Sequence, residues 1–347
     1  MQQRPRKGCR DRLLRAKCEG DAFLRIIFVN RFRKTLIIIG TGLALTVSAQ
    51  VGLLFAAGLP RGEIAIVSGI LPLSCAAAAW LWSADDVSFR RKLSAALKNR
   101  ELEVHYQPFV RLRDHRIMGA EALLRWPGCQ TGIERLVARA EETGMIAALT
   151  DYVIARVADD WPSFQTVDRD FRISINIAAP DLVTGTLCDR LKRLASNIPA
   201  QALAFEITER QSAPLEEIAF HLSELRNQGY QVYVDDFGAG FSSMTRLRHL
   251  SVDGCKLDAS FLKMHAAAAA ISAIQIFAHA SGVELVVEGV ETAAQASTLA
   301  NLNPDLIVQG WLFGRAAKKS ELIERLRKQQ RTPLGAPSII RSVSSRA

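Results

Sequence analysis

Between Glu121 and Gln309 this chain of 347 residues sets carboxylates, amides and one lysine near the ends of short apolar runs that do not otherwise predict them. Glu121, Asn176, Glu206 with Glu209, Asp235 with Asp236, Lys256, Glu288 with Glu291, and Gln309 follow one another in this way. A single acid at such a place is unremarkable, because loops begin there. Repeated along successive runs, the pattern asks for a chemical reason. Carboxylates gathered in a small volume raise one another's pKa unless cations neutralise them. Oxygen donors without His or Cys suit Mg²⁺ or Mn²⁺ better than Zn²⁺. Adjacent acids such as Asp235 and Asp236 suit two ions that share a carboxylate and hold the attacking and leaving oxygens of a phosphoryl displacement. Lys256 adds a fixed positive charge able to orient a water or a phosphate. The chemistry indicated is metal-assisted phosphodiester hydrolysis.

These side chains converge only if the elements carrying them do. Strand-like runs rich in Val, Ile and Phe fall at 103–109, 117–126, 171–177, 202–208, 231–237, 254–258, 284–290 and 306–313. Longer stretches of helical period separate most of them, among them LTDYVIARVADDW, LCDRLKRLASN, LEEIAFHLSELRNQG and AAAAAISAIQIFAHASG. Strands alternating with helices over this length predict an α/β barrel, which brings the C-terminal strand ends into one ring.

The same residues resemble a known family. EALLRW at 121–126 is similar to the signature that names the EAL phosphodiesterases, and the resemblance runs from about Glu101 to Ala317 through YQP, SINI, FEITE, VDDFGAGFSS, CKLDASFL, VEGVET and QGWLFGR. It implies a modified TIM (β/α)8 barrel whose first strand is antiparallel, and hydrolysis of cyclic di-GMP to linear pGpG with two Mg²⁺ or Mn²⁺ ions per site. It also implies that Glu121, Asn176, Glu206 and Asp235 hold one ion, and Asp235, Asp236 and Glu288 the other. Lys256 would position the attacking water, with Glu121 and Glu288 beside it in the catalytic set. Gln107 and Arg125 would touch the substrate, Arg125 through a phosphate. Glu209 would brace the loop DFGAGFSS, which couples the site to a homodimer contact; Glu291 and Gln309 would form a supporting shell.

Three stretches depart from the family pattern. Ala239 and Phe241 replace the usual Thr and Tyr, removing two hydroxyls, and the segments after Trp126 and after the sixth strand are shortened. These changes bear on affinity, dimer contact and turnover, while the ligand set stays complete. An EAL domain that only binds cyclic di-GMP or a protein partner is the alternative, since fold alone does not settle activity.

The N-terminal quarter has a different character. Residues 35–58 and 64–82 are apolar and uncharged, long enough for two membrane helices joined by a turn at 59–63. Of the net charge of +9, the arm 1–34 carries +8, from 11 Lys/Arg against 3 Asp/Glu. With Arg90-Arg91-Lys92 after the second span, the positive-inside rule predicts an inner-membrane protein in contact with lipid, its N-terminus and catalytic domain cytoplasmic. Charge so placed argues against a nucleic-acid polymer as partner. The predicted organisation is completed by a linker at 83–97, an EAL domain at 98–332 and a disordered tail at 333–347. Six cysteines without CxxC spacing or a His pair point to isolated thiols in a reducing compartment.

Overall fold

The computed structural model describes residues 84–129, 132–208, 213–238, 247 and 249–331. Two compact units divide the chain, 1–89 and 90–347. Of the first, only residues 84–89 are described, and they are helical, as are 90–98 at the start of the second.

Eight strands close a barrel in chain order. They are β1 (Glu103–Arg111), β2 (Arg116–Arg125), β3 (Arg172–Asn176), β4 (Leu203–Thr208), β5 (Gln231–Phe237), β6 (Gly254–Leu257), β7 (Glu284–Val287) and β8 (Ile307–Val308). β1 pairs antiparallel with both β2 and β8, and every other pairing is parallel. The turn at 112–115 is too short for a parallel crossover, so β1 and β2 must form a hairpin. The later strands are separated by helices that supply the crossovers, such as Ile146–Val167, Leu215–Asn227, Ala267–Ala280 and Ala293–Leu302. The expected barrel with a reversed first strand is therefore present.

Strand periodicity decides what faces the lumen. In β1, Val104, Tyr106, Pro108 and Val110 are buried on one face. Tyr106 meets Phe164 of the helix Ile146–Val167 edge-on at 5.0 Å, so this face looks outward to the helical layer. Phe109, on the opposite face, packs in the lumen against Ala204, Tyr233, Val286 and Ile307. Alternation puts Gln107 on that inner face, in register with Glu121.

Two expected strands are shorter than the sequence suggests. β7 ends at Val287, and the run 306–313 yields only Ile307–Val308. Beyond β8 the chain turns, with Phe313 N–H donating to the Gly310 carbonyl. Gly310 opens this turn: a Cβ there would stand 2.1 Å from the Val290 carbonyl oxygen, so only a glycine lets the two backbones come this close.

The predicted inner-membrane location is corrected. No helix among the described residues is long and apolar enough to cross a membrane. The 22-residue helix Ile146–Val167 carries Asp151, Arg156, Asp159 and Asp160. The arm 1–34, the segments 35–58, 59–63 and 64–82, and the tail 333–347 all lie outside the described residues.

Candidate active site

The lumen-facing residues of β2 to β8 meet at the end of the barrel where the parallel strands finish. Lys256 of β6 is at the centre, 1 % exposed. Its Nζ lies 2.7 Å from Glu288 Oε1, 2.9 Å from Glu206 Oε2, 3.1 Å from Glu121 Oε2 and 3.2 Å from Asp235 Oδ1. Two amides fix the Glu121 carboxylate from either side. Asn176 Nδ2 donates to Oε1 at 2.7 Å, and Gln309 Nε2 to Oε2 at 2.9 Å.

Asp235 and Asp236 are neighbours, and in a regular strand their side chains would point to opposite faces. The β5–β6 register shifts between Val234 and Phe237, and Asp236 takes a left-handed backbone with φ 54°. Such an irregularity re-aims a side chain. As a result Asp235, Asp236 and Glu288 each present an oxygen within 4.8 Å of the others.

The electrostatics follow from burial among like charges. Burial pushes the Glu206 carboxyl well up, with Glu121 and Asp235 adding to the effect against Lys256. Burial likewise raises Glu288 to about 7, with Lys256 opposing and Asp235 and Glu121 reinforcing it. Glu121 is the exception: burial pushes it up, but Lys256 and the two amides together hold it below the usual range. Burial disfavours the charged ammonium of Lys256, yet the four carboxylates raise its pKa well above normal. Glu121 is thus the ionised anchor of the group, and Lys256 stays charged.

The donor set fits a hard divalent cation, being all oxygen and carrying more negative charge than one lysine offsets. One buried oxygen sharpens the fit. Asp235 Oδ1 meets the Lys256 ammonium at 3.2 Å, but Gln309 Oε1 has no hydrogen-bond partner. A buried acceptor left so is costly unless a cation or a water meets it.

The remaining predicted residues lie at varying distance from this centre. Gln107 shares the lumen face opposite Glu121, and Arg125, at the end of β2, donates to its neighbour's carbonyl at Leu124. Glu291 is exposed on the turn into the helix Ala293–Leu302, its backbone N–H donating to Gln295 Oε1. Glu209 and the loop positions Ala239 and Phe241 lie outside the described residues.

A second polar layer below the ring went unnoticed in the sequence. Arg172 donates to Gln231, Tyr233 and Glu284 at 3.2–3.4 Å, and the Tyr233 hydroxyl donates to Glu284. Gly254 makes this layer possible, since a Cβ there would lie 2.1 Å from the Tyr233 ring. A cavity of about 20 Å³, room for about one water, lies between the layers and is lined by Ser174, Glu206, Tyr233 and Lys256 among others. Counting back by two from Asn176 and Asp235 reaches Ser174 and Tyr233, and counting back by four from Asn176 and Glu288 reaches Arg172 and Glu284.

The EAL domain family matches this chain over residues 90–316. Over 237 residues the chain is 32% identical to the probable cyclic di-GMP phosphodiesterase PdeB of Escherichia coli, covering 67% of this chain and 46% of that protein. It is 33% identical over 259 residues to the cyclic di-GMP phosphodiesterase NbdA of Pseudomonas aeruginosa, covering 70% of this chain and 32% of that one. The chain thus spans less than half the length of either relative. Among solved structures, the PaMucR phosphodiesterase in complex with c-di-GMP superimposes with a TM-score of 0.61 at 29% identity, over 68% of this chain and 99% of the other.

Proposed function

The chain belongs to the EAL-domain family, and from that premise we propose that it is a divalent-metal-dependent phosphodiesterase opening cyclic di-GMP to linear pGpG. The observation that carries the reading is the buried Lys256 ringed by Glu121, Glu206, Asp235 and Glu288. A receptor would have no need of that many converging carboxylates, whereas phosphodiester hydrolysis does.

Asp235, Asp236 and Glu288 would hold one ion, and Glu121, Asn176, Glu206 and Asp235 a second, of Mg²⁺ or Mn²⁺. Bound there, such ions supply Lewis-acid polarisation of a phosphoryl oxygen and lower the pKa of water. The chain's own groups do the rest. Asn176 and Gln309 keep both Glu121 oxygens aimed at the centre, so little reorganisation accompanies the reaction. Lys256, held charged by its carboxylates, directs Nζ protons toward the attacking water and the phosphoryl oxygens. Gln107 and Arg125 bind at the mouth, Arg125 offering a guanidinium to a phosphate. The water oxygen bonds to phosphorus, the P–O3′ bond breaks, and a proton passes to the departing 3′ oxygen. One 5′-phosphate and one 3′-hydroxyl result.

The test is to incubate the purified full chain with cyclic di-GMP and Mg²⁺ or Mn²⁺ and separate the products by chromatography. The expected result is pGpG from the natural chain, and none from Glu121→Ala or Lys256→Ala. Tight binding with no product under either metal overturns the enzyme and favours a receptor.

A further inference from the structure

Trp311 stands outside the chemistry above. It lies two residues past Gln309 and is 56 % exposed, although large aromatic side chains are on average well buried. Its backbone is nonetheless firmly placed. Gln309 N–H donates to Val287 at 2.9 Å, Val290 N–H to Gln309 at 3.1 Å, and Leu312 N–H to Val290 at 3.1 Å. Gly310 presses directly on Val290. The turn bearing Trp311 is therefore clamped to the segment that carries Glu288, at the rim of the site.

The indole also has a cation behind it. The Arg315 guanidinium carbon lies 4.1 Å from the ring centroid, in cation–π range. Gly314, between them, takes φ 147°, and a Cβ there would run into Arg325 and Pro108 of β1. The turn thus lies against one side of β1, while β2, with Arg125 at its end, lies against the other. A ligand spanning the mouth over Gln107 would have Arg125 to one side and, to the other, the turn that bears the exposed Trp311 and its Arg315.

We propose that Trp311, backed by Arg315, is the stacking platform for one guanine base of the cyclic dinucleotide. This rests on the phosphodiesterase reading and assigns a base-binding residue within it. The chemistry matches on two counts. A purine offers a flat π-face that an aromatic side chain binds from a rigid position. Arg315 adds positive charge near a ligand that carries two phosphodiester anions, and its own contact with the indole limits the ring's motion.

Trp311→Ala and Trp311→Phe are compared with the natural full chain for KM and kcat on cyclic di-GMP with Mn²⁺, and for ligand-induced quenching of tryptophan fluorescence. The expected result is a KM about 10-fold or more higher in Trp311→Ala, the order that losing one stacked base carries. The effect on kcat should be much smaller, and Trp311→Phe should restore most of the affinity. The quenching seen in the natural chain should drop in both variants. An unchanged KM in Trp311→Ala, with turnover intact in the natural chain, overturns the platform and leaves the phosphodiesterase standing. If the natural chain binds without turnover, the same comparison is read as Kd, and an unchanged Kd overturns the platform equally. If the natural chain neither binds nor hydrolyses cyclic di-GMP, both readings fall. Melting curves for the variants, expected to match the natural chain because Trp311 is exposed, separate a binding loss from misfolding.

Discussion

Replacing Lys256 by Met removes the cation at the centre of the ring while keeping most of its buried stem. Nζ stands between 2.7 and 3.2 Å from four carboxylates. At an effective dielectric of ~20, one such pair at ~3 Å is worth about 5 kcal/mol. The four do not add to four times that, because the carboxylates repel one another and the ammonium has lost its hydration. The measured cost of removing one partner from a buried ion pair, about 3–5 kcal/mol, is the better guide. For a domain of this size that is a fall in Tm of roughly 6–20 °C, at about 2–4 °C per kcal/mol. The deficit should depend on pH with a definite sign. Glu288 already titrates at about 7 against an ordinary 4.5, so the folded state binds a proton that the unfolded chain releases earlier. Stability therefore falls as pH rises across that window. Without Lys256, which opposes the shift, the window widens upward. Melting curves of Lys256→Met in EDTA should lie furthest below the natural chain at pH 8 and closer to it at pH 5.5, and Mg²⁺ should recover part of the loss at pH 8. A variant within about 1 kcal/mol of the natural chain at pH 8, or one whose deficit grows as pH falls, refutes the reasoning.

Two further predictions rest on the same region. Gly310→Ala would place a Cβ 2.1 Å from a backbone oxygen of Val290, and neither backbone can yield cheaply. It should lose about 1–3 kcal/mol and lower kcat by disturbing the Gln309 amide that holds Glu121; an unchanged Tm by calorimetry would show that the contact relaxes freely. Metal binding should release protons, because Glu288 is half protonated near pH 7 and a carboxylate ligand must be ionised. Titration calorimetry with Mn²⁺ in buffers of different ionisation enthalpy should show proton release at pH 6.5 and an affinity that rises through pH 7 and then levels off. Equal affinity at pH 6 and pH 8 would count against this.

The barrel and the ring were legible in the sequence because both are periodic. Apolar runs separated by helical segments indicate alternation, and a polar residue interrupting an apolar run is visible without coordinates. What stayed hidden was set by backbone contact. Asp235 and Asp236 read as a pair of ligands, yet nothing in QVYVDDF announces the register shift and the left-handed Asp236 that turn both inward. LIVQGWLF has the composition of a long strand, and nothing in it announces the turn, with Gly310 pressed against Val290, that follows Val308. The lower polar layer was hidden by distance along the chain: Arg172 meets partners 61 and 112 residues away. Its members look like ordinary polar residues near the starts of strands.

The two layers differ in one respect that bears on the function. In the lower layer Arg172 faces the single carboxylate of Glu284, with Tyr233 bridging them, so its formal charge closes on itself. In the upper layer Glu121, Glu206, Asp235 and Glu288 surround Lys256, and Asp236 lies beside Asp235 and Glu288; with every carboxylate ionised these six side chains sum to a formal charge of −4. Burial, with the neighbouring carboxylates adding to it, makes Glu206 and Glu288 titrate high, so without other cations the layer meets part of that excess by binding protons. One divalent ion would leave half the excess in place, whereas two would balance it. Taken over these side chains, the charge count fits the two-ion arrangement proposed above.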